Sequence, residues 1–131
     1  MAVNAKDQAS CTGGALVFCE TPLAAGTAIT HVDGAPEIRI AQSGIYQATF
    51  HGTVAFCRGT STVTVQLLHD SIPVPGAASS HTASGGGEVV NVSFTALFRA
   101  AGPGTLKVVA SASGFTFSNI ALSVFRLGDS A

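Results

Sequence analysis

The stretch Gly44-Ile45-Tyr46-Gln47-Ala48-Thr49-Phe50-His51-Gly52-Thr53-Val54-Ala55-Phe56 alternates with a period of two. Tyr46, Ala48, Phe50, Gly52, Val54 and Phe56 take one face, and Gln47, Thr49, His51 and Thr53 take the other. Successive strand side chains point to opposite sides, so this pattern is that of a strand with one buried face. After the turn residues Arg58-Gly59-Thr60-Ser61 the pattern resumes, with Val63, Val65 and Leu67 inward against Thr62, Thr64 and Gln66. His69-Asp70-Ser71 breaks it, and Ile72-Pro73-Val74-Pro75-Gly76 reads as a prolyl edge segment, because proline cannot donate to a ladder.

Further along, Ala77 to Gly87 is small, polar and glycine-rich and is expected to be an exposed loop. Val90, Val92, Phe94, Ala96 and Phe98 alternate with Asn91, Ser93, Thr95 and Leu97 up to the turn Ala101-Gly102-Pro103-Gly104. Leu106, Val108 and Ala110 form the next strand, Ser113-Gly114 breaks it, and Phe115-Thr116-Phe117 is a short one. The last runs from Ile120 to Leu127, with Ile120, Leu122 and Val124 facing one way and Ala121, Ser123 and Phe125 the other. Upstream, Ala15 to Cys19 is a short apolar strand, and Ala28 to Val32 and Glu37 to Ile40 flank an Asp33-Gly34 turn. No segment carries a stripe of helical period. About eight to ten short strands at this spacing predict an all-β fold, an antiparallel two-sheet sandwich or jelly roll.

Composition bounds the rest. The chain has 131 residues, 47% hydrophobic and 10% charged, with a formal net charge of −1. That is one domain, expected over residues 11–128 with flexible tails at 1–10 and 129–131. Six Lys+Arg against seven Asp+Glu give no basic field for nucleic acid. No apolar run is long enough for a transmembrane helix, and Met1 to Asp7 has no signal-peptide core. A surface so poor in charge favours self-association.

No catalytic constellation emerges, so the chain is read as not an enzyme. There is no G-x-S-x-G elbow, no close carboxylate pair and no phosphate loop, since Ser84-Gly85-Gly86-Gly87 lacks the following Lys-Ser/Thr. Cys11, Cys19 and Cys57 are odd in number and lack zinc spacing, and read as structural thiols or one bridge plus a free thiol. No cofactor is expected. The histidines form no H-x-H pattern: His31 and His69 flank turns, His81 falls in the Gly/Ser loop, and His51 lies on the polar face of its strand. His51 is the weak metal candidate, since a threefold axis would triple a single ligand. Asp33, Asp70 and Glu88 lie near turns, but a calcium cage needs six to eight oxygens.

The order of the pieces resembles the tumour necrosis factor-like / complement C1q-like jelly roll. It is most similar to the bacterial heads that cap collagen-like surface and exosporium glycoproteins. The likeness rests on Gly14-Ala15-Leu16-Val17-Phe18 and on Gly26-Thr27-Ala28-Ile29-Thr30-His31-Val32-Asp33-Gly34, like the family's G-x-x-I-x-H-x-x-G. It continues through Glu37 to Phe50, with Gly44-Ile45-Tyr46 before a long strand, then Ile72 to Gly76 and the closing Ile120 to Leu127. His69-Asp70-Ser71 stands where the family has an Asn-Gly turn. The resemblance implies a homotrimer, one sheet of each protomer facing the threefold axis, and an extracellular, spore or cell-surface setting, with a collagen-like stalk or a surface receptor as further partners.

Several strands carry apolar residues on both faces: Ile45 beside Tyr46, Leu68 beside Leu67, Leu97 beside Phe98, and Phe125 and Leu127 against Leu122. That surplus predicts a second burial surface, with Tyr46, Phe50, Phe98 and Phe125 as the expected trimer-interface aromatics. The leading expectation is a trimerisation head. The alternative is a module recognising a glycan or host protein through its loops, with His81, Ser84 and Glu88 as the ligand-loop candidates.

Overall fold

The computed structural model describes residues 1–4, 8–9, 14–21, 28–56, 61–83, 89–111 and 115–128. In chain order the strands are β1 (Ala2–Asn4), β2 (Gln8–Ala9), β3 (Ile29–His31), β4 (Ile38–Ile40), β5 (Gly44–Phe56), β6 (Ser61–His69), β7 (Ile72–Ala83), β8 (Val89–Ala100), β9 (Gly104–Ala110) and β10 (Phe115–Gly128). They form two antiparallel five-stranded sheets. The first runs β1-β10-β5-β8, with β2 also on β10; the second runs β3-β4-β9-β6-β7.

The alternation of β5 decides the layering. Its even positions turn inward, and Tyr46, Ala48, Phe50 and Val54 are fully buried between the sheets. Val92, Phe94 and Ala96 of β8, Val63, Val65 and Leu67 of β6, and Leu106, Val108 and Ala110 of β9 complete one core. Phe50 stacks on Phe94 at 5.4 Å and Tyr46 on Phe98 at 5.7 Å, spacings at which offset aromatic pairs attract. The Tyr46 hydroxyl donates to the Gln42 carbonyl at 2.6 Å, which satisfies its polar tip at the core's edge. Gly52 is a close approach: a Cβ there would stand 2.6 Å from Ile120 Cγ2.

Four expectations are corrected. Phe115–Phe117 and Ile120–Leu127 are one strand, β10, interrupted by a register shift between Ser118 and Ala121. Asn119 sits there at φ 50°. The extra residue changes parity, so buried positions run Phe115, Phe117, then Ile120, Leu122. Ala77–Ala83 is strand, the second half of β7, and not a loop. Ala77 is buried on its inner side and Ser79 and His81 are half-buried there, while Thr64 with Ser80 (2.6 Å) and Thr62 with Thr82 (2.7 Å) hydrogen-bond across the outer side. Within the expected tail at 1–10, residues 2–4 and 8–9 are strand. Ala2–Asn4 pairs with Leu122–Ile120 and Gln8–Ala9 with Phe117–Thr116. Finally, Ala15–Cys19 is not a regular strand but touches β9 through the bridge Ala15↔Val109 while burying Leu16 and Phe18.

The β6–β7 hairpin explains His69-Asp70-Ser71. Asp70 and Ser71 have φ 51° and 68°, and positive φ at both central positions of a two-residue loop is the type I′ requirement that Asn-Gly ordinarily meets. The Asp70 carboxylate supports the turn by accepting from the Thr105 amide at 2.9 Å.

Candidate assembly face

The odd positions of β5 leave the core and line the outer side of the first sheet. Registers place them in rows across three strands. Phe125, Gln47 and Leu97 form one row; Ser123, Thr49 and Thr95 the next; then Ala121, His51 and Ser93; then Ser118, Thr53 and Asn91. Within these rows Thr49 and Thr95 hydrogen-bond at 3.3 Å, and Thr53 donates to Asn91 at 3.2 Å. Among the described residues of these strands, Arg99, at one end beside Ile45, is the only Lys, Arg, Asp or Glu on this side. The centre is therefore flat, small and hydroxylic, and one end is apolar: Leu97 is 61% exposed, Phe125 56% and Leu127 55%. Isolated exposed apolar residues are ordinary, but a cluster on an uncharged sheet face marks an interaction surface.

Of the interface aromatics expected from sequence, Phe125 is on this face. Tyr46 and Phe50 are corrected: both are 0% exposed inside a single chain, where no partner can touch them. Phe98 lies between, half-buried, with its ring 5.3 Å from His69. Leu97 and Leu127, which the sequence marks as surplus apolar residues without naming them among the interface aromatics, are exposed on this side as well.

His51 is exposed at the centre of the face, between Ser93 and Ala121, whose short side chains leave its ring standing clear. His31 is tied into the β3–β4 turn: its ring nitrogens lie 2.6 Å from Thr21 Oγ1 and 2.9 Å from the Ala35 carbonyl. Thr21 also donates to Asp33 at 2.8 Å. Asp33 and Asp70 thus serve separate turns. Among the described residues no three His, Cys, Asp or Glu converge on a metal-sized site. His81 is corrected from loop to strand, half-buried in β7 opposite Val63. Ser84, Glu88, Cys11 and Cys57 lie outside the described residues, and Cys19 is a free thiol. Burial pushes the Met1 amine, beside β1, below its ordinary value.

At the edge where the two sheets meet, β7 and β8 enclose a cleft of about 430 Å³ lined by His69, Ile72, Val74, Leu97, Phe98 and Arg99, among others.

No family model matches the sequence, and no curated protein does. Solved structures do match. The globular domain of zebrafish complement 1qA protein aligns over 98% of this chain and 96% of its own at 12% identity, TM-score 0.73. Murine APRIL at pH 8.0 aligns over 96% and 95% at 11% identity, TM-score 0.69. Eiger TNF from S. frugiperda aligns over 72% and 66% at 10% identity, TM-score 0.57. The fold is the C1q/TNF jelly-roll sandwich.

Proposed function

We propose that this chain is a non-enzymatic homotrimeric assembly module, associating through the outer side of the β1-β10-β5-β8 sheet. The observation that carries the reading is that side itself, which among the described residues of its strands is short of charge and is apolar at one end. Desolvating hydroxyls that pair with one another, as Thr49 does with Thr95, costs less than burying unpaired charge, which costs several kcal/mol per ion. A closed ring hides that side completely, which an open stack does not. Trimers are what the C1q/TNF resemblance implies, and the motif likeness to bacterial exosporium heads extends the reading to display outside the cell, at the end of a collagen-like stalk. Folding and association are then coupled, so stability rises with protomer concentration. Sedimentation velocity over a dilution series tests this. The expected species has three times the 13.1 kDa of one chain; a species of one chain's mass at every concentration refutes it.

A further inference from the structure

The β3–β4 turn, on the second sheet, carries a chain of polar side chains that the assembly reading does not use. Segment 14–21 runs along β9, where the Leu16 amide donates to the Val108 carbonyl at 2.8 Å, and it buries Leu16 and Phe18. Its last residue, Thr21, reaches the turn. There Thr21 Oγ1 donates to Asp33 at 2.8 Å and lies 2.6 Å from His31 Nδ1, while His31 Nε2 lies 2.9 Å from the Ala35 carbonyl. The Gly34 amide donates back to the Phe18 carbonyl at 2.8 Å, and the Phe18 ring stands edge-on to the imidazole with centroids 6.2 Å apart.

Counting protons fixes the charge of that imidazole. A hydroxyl has one proton to give, a carbonyl has none, and an ionised carboxylate only accepts. Thr21 gives its proton to Asp33, so its oxygen accepts from Nδ1–H. The Ala35 carbonyl in turn needs Nε2–H. Both ring nitrogens donate only in the imidazolium. A neutral ring loses one bond of the three whichever tautomer it takes. With the proton on Nε2, the Thr21 hydroxyl serves either His31 or Asp33 but not both; with the proton on Nδ1, Nε2 turns a lone pair on the Ala35 carbonyl.

We infer that His31 is a proton-operated clasp: as the imidazolium it fastens segment 14–21 to the β3–β4 turn, and loss of its proton loosens that end. Asp33 supplies the opposite charge across Thr21. The elements packed around the ring also carry Cys19 and Glu20 on the segment and Glu37 and Arg39 at β4; among the described residues none of these four bonds to His31. Arg126 of β10, which packs on β3, is turned to the Ser43 carbonyl. Residues 22–27 contain no titratable side chain. Histidine ordinarily changes charge between pH 5 and 8, so the clasp is closed at the acid end of that range and loosened at the basic end.

Nitrogen-15 and amide hydrogen-exchange spectra of the full chain at pH 5 and pH 8 test this. At pH 5 both His31 ring nitrogens are expected to carry protons. From pH 5 to pH 8 the protection of the Gly34 amide is expected to fall about tenfold relative to that of Leu16, the worth of one hydrogen bond to a charged group. In His31→Gln, neutral at both values, the ratio stays constant. A bare ring nitrogen at pH 5, an unchanged ratio in the wild type, or the same fall in His31→Gln overturns the clasp. The first two readings come from the wild-type chain alone and decide the matter even where the variant does not fold.

Discussion

Thr49→Glu separates folding from assembly. Thr49 lies on the middle strand of the face, in the row with Ser123 and Thr95, and its hydroxyl stands 3.3 Å from that of Thr95. In a single protomer a glutamate there extends into water, so the cost to the fold is about 1 kcal/mol, from strand propensity and one weak hydrogen bond. In the trimer three carboxylates are carried into a surface whose one Lys or Arg, among the described residues of these strands, is Arg99. At about 3 kcal/mol each, the low end of the penalty for an unpaired buried ion, the sum is roughly 9 kcal/mol per trimer. At about 1.4 kcal/mol per decade, that lowers the association constant by about six decades. Thr49→Gln, equal in size and neutral, is the control and costs far less. Light scattering behind size-exclusion chromatography, with far-UV circular dichroism on the same fractions, reads the outcome. The expectation is a β-rich protein of one chain's mass for Thr49→Glu and of three chains' mass for Thr49→Gln. If the charged variant keeps the wild-type mass at micromolar concentration, this side of the sheet is not the interface.

Gly52→Ala destabilises by about 1–3 kcal/mol, because its Cβ overlaps Ile120 Cγ2 at 2.6 Å; denaturant unfolding checks this, and Ile120→Ala in the same chain makes the two costs less than additive. Ser71→Gly stabilises by about 0.5–1 kcal/mol by relieving φ 68°, whereas Asp70→Gly brings no gain because it removes the acceptor for Thr105; thermal melts at fixed protomer concentration distinguish them. The lowered pKa of the Met1 amine makes the folded state bind fewer protons than the unfolded one below the ordinary value of 8.0. Stability is therefore unaffected well above pH 8.0 and declines as pH falls through it; acetylating the N-terminus removes that slope, and a slope unchanged by acetylation contradicts the assignment.

The sandwich was legible because burial of one face writes itself as alternation, as in Tyr46-Ala48-Phe50 and Val63-Val65-Leu67. Legibility failed where small residues carry the strand. Ala78, Ser80 and Thr82 of β7 have the composition of a loop, and only their pairing with β6 reveals the strand. It failed again at Asn119, where one extra residue reverses parity and made one strand look like two. Pairing partners remote in sequence account for the N-terminus, since nothing local in Ala2-Val3-Asn4 announces that it will lie on Leu122-Ala121-Ile120. At the candidate face, alternation sorts the aromatics: Tyr46 and Phe50 share a side with Val54 and belong to the core, while the exposed apolar exceptions on the polar side are Leu97, Phe125 and Leu127.

His51 offers the most direct test that this face is covered. Its ring is exposed in a single chain and stands at the centre of the rows, so assembly through this side shields it from solvent. Carbethoxylation of histidines, followed by peptide mass spectrometry at high and low protein concentration, measures that shielding, with the half-buried His81 as internal reference. The account predicts that His51 is protected at high concentration and becomes reactive on dilution to single chains. His51 reacting at the rate of a free imidazole at every concentration would contradict it.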